Sequence, residues 1–168
     1  MILTREKIIE EIKAGRLRIE PFREGNLGPA SYDFTLSKEF RIFQRLPGVI
    51  DVREDTDYRE ITERIEVKDF IVILPGESIL GITEETISLP EDICGWIQGR
   101  SRFARLGLMV HITASLIQPG SKGRQVLEIF NAGNVALRLY PGTKICQVIF
   151  ERCEGKASYR GGFLEQKL

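Results

Sequence analysis

The chain has 168 residues, 42% of them hydrophobic, which is material for one well-packed domain and unlike any disordered or fibrous composition. Its 24 basic residues balance 24 acidic ones, so no global field favours nucleic acid or a membrane surface, and anion recognition must be local. No apolar run approaches transmembrane length and the N-terminal Met1-Ile-Leu-Thr-Arg-Glu-Lys7 lacks a signal-peptide core, so a cytoplasmic protein is expected.

The predicted elements begin with a helix over residues 1–16. Thr4 is its expected cap, Ile8, Ile9 and Ile12 form an apolar stripe, and Gly15 ends it. Helical periodicity then disappears. Between Pro47 and Glu66 the chain turns charged and polar, densest at Arg53-Glu-Asp-Thr-Asp-Tyr-Arg-Glu60, and reads as a solvated surface excursion.

Short β-rich segments follow at Phe70–Leu74, Ser78–Thr83 and Ile93–Ile97, with Pro75-Gly76 as turn residues. Three more run from Gln125 to Asn131, Val135 to Tyr140 and Ile145 to Phe150, the last two joined by the turn Pro141-Gly-Thr-Lys144. Many short strands without alternating helices predict an all-β fold, antiparallel, of sandwich, jelly-roll or barrel type. The Gly-rich segment 155–168 contains Tyr159 and Phe163 and reads equally as a mobile tail or as a flap over a ligand. Cys94, Cys146 and Cys153 are scattered, which suits neither a disulfide framework nor a zinc site and predicts buried thiols.

The chemistry concentrates between Gln98 and Glu128. An arginine-rich turn, Arg100-Ser-Arg-Phe-Ala-Arg105, precedes the strand Gln125-Val-Leu-Glu-Ile-Phe-Asn131, where a two-residue period puts Glu128 on one face with Val126 and Phe130. A strand apolar on both faces is expected in the interior, where desolvation raises a carboxyl toward a range useful for proton transfer. An interior or interface ion pair between Glu128 and Arg105 is the alternative. The single histidine, His111, excludes His/Cys zinc-deaminase and two-histidine protease signatures, and a satisfied strand histidine is its expected state. Neither a Walker A nor a Gly-x-Gly-x-x-Gly fingerprint is present.

Gly99-Arg-Ser-Arg-Phe-Ala-Arg-Leu-Gly-Leu108, Val110-His-Ile-Thr-Ala114, Ile117-Gln-Pro-Gly120, Val126-Leu-Glu-Ile-Phe-Asn131 and Leu139-Tyr-Pro-Gly-Thr-Lys-Ile145 resemble, in order, the motifs of the dCTP deaminase family, which shares its fold with trimeric dUTPases. Pro29-Ala-Ser-Tyr-Asp33 is similar to that family's first motif. The resemblance, spanning about residues 20–150, implies a distorted β-barrel or jelly-roll protomer of dUTPase-like type with a short N-terminal helix. It also implies a homotrimer with sites at subunit interfaces, and zinc-independent hydrolysis of dCTP to dUTP and ammonia, with Mg2+ bound through the triphosphate and no metal held by the protein alone. Position by position it makes Glu128 the proton carrier, Ser101 and Arg105 its positioning partners with the water, Arg100 a phosphate ligand, and Ala114 a backbone contact to the base. His111 falls in a segment associated with feedback inhibition by dTTP in some members.

Departures from the pattern carry their own expectations. Gln118 stands where the family has an aspartate, and an amide cannot activate water for attack on phosphate, so phosphate cleavage is disfavoured. Leu116 and Ser121 replace a common arginine and aromatic, and Gly162-Phe-Leu-Glu-Gln166 replaces a Lys-Tyr-x-x-Gln tail. Arg102, where serine is usual, is expected to restore some charge, and Tyr159 and Gln166 are expected to reach the nucleotide. A dUTPase-like nucleotidohydrolase and a catalytically inactive nucleotide-binding relative are the alternatives.

Overall fold

The computed structural model describes residues 1–161 and 168. Helix α1 (Arg5–Lys13) leads into β1 (Arg18–Glu20), β2 (Tyr32–Phe43), β3 (Thr62–Glu66), β4 (Ile71–Ile73), β5 (Ser78–Ser88) and β6 (Ile93–Gly99). The short helix α2 (Ser101–Ala104) precedes β7 (Leu108–Val110), β8 (Leu116–Ile117), β9 (Lys122–Asn131), β10 (Leu137–Leu139) and β11 (Lys144–Arg152).

The chain is all-β with one short N-terminal helix, as expected, and each strand pairing is antiparallel. The main sheet runs β7-β9-β5-β2-β11-β6-β8, with β1 added to β5 and β3 to β2, while β4 and β10 form a separate pair. Strand β2 bends the sheet because it changes partner along its length. Residues Tyr32 to Thr35 pair with β11, and the rest pairs with β5 and β3. Register shifts in β2, β5 and β11 add the local twist that curls the sheet into a half-barrel. Tyr32, Phe34, Phe40, Phe150, Leu127 and Ile129 lie fully buried inside the curl.

At the β5 shift the Glu85 side chain is fully buried. It accepts from Thr35 N at 2.8 Å and Thr35 Oγ1 at 2.7 Å and pairs with Arg23 at 3.0 Å. Those partners offset the cost of burying a carboxylate.

Several expectations need correction. Thr4 holds the N-cap position but makes no side-chain cap bond, and the helix covers residues 5–13 rather than 1–16. Gly15 does end it: at φ 69 its N–H bonds Ile12 O while Arg16 N–H bonds Glu11 O, a Schellman closure. The stretch 47–66 is a surface excursion only as far as residue 61, since Thr62–Glu66 pairs with β2. The two Pro-Gly turns are type II in character, with Gly76 at φ 79 and Gly142 at φ 82. Each joins strands of different sheets rather than closing a hairpin, because β4 and β10 pair with each other.

Candidate active site

Strand β9 alternates cleanly. Gln125, Leu127, Ile129 and Asn131 are buried, while Arg124, Val126, Glu128 and Phe130 are half-buried on the opposite face. The strand is thus interior on one face only, and Glu128 is placed at a rim, not in a dry core as its apolar neighbours predict. The half-buried state of this strand face is what makes the carboxylate reachable.

The loop after β7 supplies its partners. Val110 pairs with Ile129, and His111 N–H then bonds Glu128 O at 2.7 Å. His111 takes φ 61, in the left-handed region that few non-glycine residues enter. That reversal folds residues 112–115 back over β9, so Thr113 donates from both its N–H and its Oγ1 to Glu128 Oε2, each at 3.2 Å. His111 Nε2 lies 2.6 Å from Ala114 O. A carbonyl only accepts, so Nε2 carries a proton and donates it to Ala114 O. Nδ1 is buried and without a partner among the described residues. His111 is therefore a loop residue at positive φ with one unpartnered ring nitrogen among the described residues, where a satisfied strand histidine was expected.

Beside this loop is a cavity of about 220 Å³ whose lining includes His111, Ala114, Gln118, Gln125, Val126 and Tyr159. Val126 shares a strand face with Glu128, which puts the carboxylate next to the cavity along β9. Tyr159 is brought in by the segment after β11, where Ala157 N–H bonds Glu91 O and Tyr159 N–H bonds Pro119 O, each at 2.9 Å. Ser158 packs against Gly120, whose φ of 75 turns the chain there. The segment is anchored as far as Tyr159; Gln166 lies outside the described residues. The volume is below the about 300 Å³ at which pockets enclose a drug-sized ligand.

The arginine-rich turn follows β6 and packs against β7, and its side chains take other partners. Arg100, the residue before α2, donates to Lys144 O at 2.7 Å and pairs with Asp33 Oδ2 at 3.0 Å. Its donors are largely committed inside the chain. Ser101, Arg102 and Arg105 are exposed, and among the described residues no hydrogen bond or ion pair joins them to Glu128. The intrachain Glu128 to Arg105 pair considered from sequence is thus absent. Gly107, at φ 82, presses the end of this turn against Gly133, where a Cβ would meet backbone atoms at 2.7 Å.

Sequence reasoning missed Thr113, whose only signal was its place in Val110-His-Ile-Thr-Ala114. It also missed the anchoring of Arg100 by Asp33, which no local pattern announces. Among the described residues no helix is long and apolar enough to cross a membrane, and no group of three or more His, Cys, Asp or Glu side chains gathers to hold a metal ion.

A curled antiparallel sheet with a carboxylate beside a small cavity of mixed lining defines the class, and solved structures agree on the fold. A 2'-deoxycytidine 5'-triphosphate deaminase from Agrobacterium tumefaciens superposes with TM-score 0.71 at 19% identity over 91% of this chain, which spans 48% of that longer protein. A mutant dUTPase from phage phi11 of S. aureus superposes at 0.52, with 15% identity, over 87% of this chain and 96% of its own.

A family model described as dCTP deaminase-like matches residues 2–153, and the chain belongs to that family. A relative from Nocardioides sp. is 37% identical over 96% of this chain and 85% of its own length. One from Beutenbergia cavernae is 39% identical over 94% of this chain and 82% of its own. Both relatives are named dCTP deaminase, dUMP-forming, so their named product is dUMP where the sequence alone suggested dUTP.

Proposed function

We propose that the chain hydrolytically deaminates the cytosine of dCTP, with Glu128 as the proton carrier. The observation that supports this is the Glu128 carboxylate, held by two Thr113 donors on an open strand face beside a cavity of partial-nucleotide size. In this reading Glu128 takes a proton from the water that attacks C4, delivers it to the ring and assists departure of ammonia. Water and dCTP enter, and ammonia and the uracil nucleotide leave. Ala114 carbonyl and amide groups and the Gln118 amide contact the base or sugar, and Tyr159 covers them.

A second copy of the chain completes the site. Ser101 and Arg105 project outward without reaching Glu128 of their own chain, so they act on the neighbour's carboxylate, and Arg102 meets the neighbour's phosphates. A homotrimer satisfies this geometry. Arg100 binds phosphate by exchanging Asp33 for the ligand. Mg2+, if it accompanies the triphosphate, takes its ligands from phosphate oxygens and water, since the described side chains offer no acidic cluster.

The product divides two readings. Gln118, an amide lining the cavity, supports release of dUTP because it cannot serve as a base for attack on phosphate. The naming of the relatives supports continuation to dUMP and pyrophosphate. The deciding experiment is to incubate the protein with dCTP and, separately, with dUTP and to measure ammonia and pyrophosphate. Ammonia from dCTP without pyrophosphate supports the first reading; equimolar amounts support the second. Pyrophosphate from dUTP with no ammonia from dCTP would mark a nucleotidohydrolase, and nucleotide binding with neither product would mark an inactive relative.

A further inference from the structure

Two of the three cysteines meet at the root of the segment that carries Tyr159. Cys94 lies in β6 opposite Glu151 of β11, and its Sγ is 3.6 Å from Glu151 O. Cys153 follows the last residue of β11 and its N–H bonds Asp92 O at 2.9 Å. Asp92 and Cys94 are two residues apart, as are Glu151 and Cys153, so the two thiols stand on one face of the ladder as diagonal neighbours. Cys94 is buried and Cys153 partly exposed. Burial, and then the adjoining Cys153 thiol, push Cys94 up to about 11. Cys146, fully buried in β11, has no part in this pair.

We propose that Cys94 and Cys153 form a disulfide when the protein meets a peroxide, and that this bond repositions the 153–161 segment over the candidate site. Cys153, the accessible thiol, attacks the peroxide oxygen as thiolate, forming a sulfenic acid and releasing one water. Cys94 then displaces the sulfenic hydroxyl, the S–S bond forms, and a second water leaves. Two thiols lose two protons and two electrons, and hydrogen peroxide becomes two waters.

Geometry couples this chemistry to the site. Diagonal strand neighbours are about 7–8 Å apart at Cα, and a disulfide draws Cα atoms to about 5.5–6 Å. Cys153 sits outside the strand, before the left-handed Gly155 and before the anchors of Ala157 to Glu91 and Tyr159 to Pro119. The shift therefore falls on the 153–155 root and is passed to Tyr159 in the cavity wall. The effect on turnover rests on the function proposed above; bond formation and movement of the segment do not.

The test treats the full-length protein with hydrogen peroxide, alkylates free thiols and maps peptides without reduction. A Cys94 to Cys153 linked peptide, lost on dithiothreitol treatment and absent in Cys153→Ser, is expected. Cys153 oxidised beyond sulfenic acid without any linked peptide, or linked instead to a second copy, would overturn the proposal. The linked protein should show a several-fold change in tryptic cleavage after Lys156 and Arg160, and a several-fold rise in the KM for dCTP, both reversed by dithiothreitol. Unchanged cleavage in fully linked protein would refute the repositioning. If the reduced protein never deaminates dCTP, the function proposed above fails while cleavage still decides this one.

Discussion

Thr113 holds the carboxylate proposed as the proton carrier, and its two donors can be separated by substitution. Thr113→Val keeps the backbone N–H and removes the hydroxyl, so one hydrogen bond of a charged group is lost. Such a bond contributes about 1.5–3 kcal/mol when buried, and the half-buried setting of Glu128 reduces that. The expected outcome is a kcat about three- to tenfold lower with KM little changed, read by steady-state ammonia release. Gly107 is a second residue with a sharp expectation. Its φ of 82 and the 2.7 Å approach of Gly133 backbone leave no room for a methyl group. Gly107→Ala should cost about 2–3 kcal/mol, measured as a lower urea midpoint, because backbone on both sides has to move.

Among elements, those with local chemistry were legible and those with distant partners were not. The α1 stripe, both Pro-Gly turns and the alternation of β9 all came from spacing within a few residues. Strand β2 was missed although it is the longest strand in the chain, because Lys38, Glu39 and Arg41 interrupt its apolar run. Those charges are satisfied across strands: Glu39 pairs with Arg64 and Arg124, and Arg41 donates to Thr62. In the same way part of the candidate site was legible as a list: Ala114, Gln118 and Tyr159 line one cavity, with Glu128 two residues along β9 from its Val126. The exposure of Ser101 and Arg105, and the lack of any bond from them to Glu128 among the described residues, follow from no local spacing; a site shared between copies came only from the family resemblance. The proximity of Cys94 and Cys153 is a property of strand register and so was hidden as well.

The N-terminal helix supplies a test at this scale. Asp92 accepts from Arg16 at 2.9 and 2.8 Å and from Arg152 at 2.9 Å, and Glu11 pairs with both arginines. Together they clamp α1 to the ends of β6 and β11. Hydrogen bonding from Arg16 holds Asp92 below its ordinary value, and Arg124 does the same for Glu39. A depressed native value means stability that is complete above the unfolded-chain value, about 4 for these groups, and lost as pH falls through the native one. The urea midpoint should hold from pH 7 to 5 and fall below pH 4. Asp92→Asn should cost about 1–2 kcal/mol at pH 7 and flatten that acid limb.

For the whole molecule, the proposal that a second copy supplies Ser101 and Arg105 to Glu128, which bonds neither within its own chain among the described residues, predicts a shared site. Glu128→Gln and Arg105→Ala should each be inactive alone. Dissociated together and reassembled, they should regain a fraction of wild-type turnover, because some interfaces then unite an intact Glu128 with an intact Arg105. Sedimentation of the wild-type protein should show an assembly of three chains. Mixtures that remain inactive after verified subunit exchange would place the complete site inside one protomer and remove the reason for a partner.

The central claim, that Glu128 moves the protons of dCTP deamination, is tested most directly by Glu128→Gln assayed for ammonia release beside a measurement of nucleotide binding. Loss of about 10²–10⁴-fold in kcat, with unchanged unfolding and near-native affinity for dCTP, is the predicted result. Turnover within a few-fold of wild type in that variant would contradict the account.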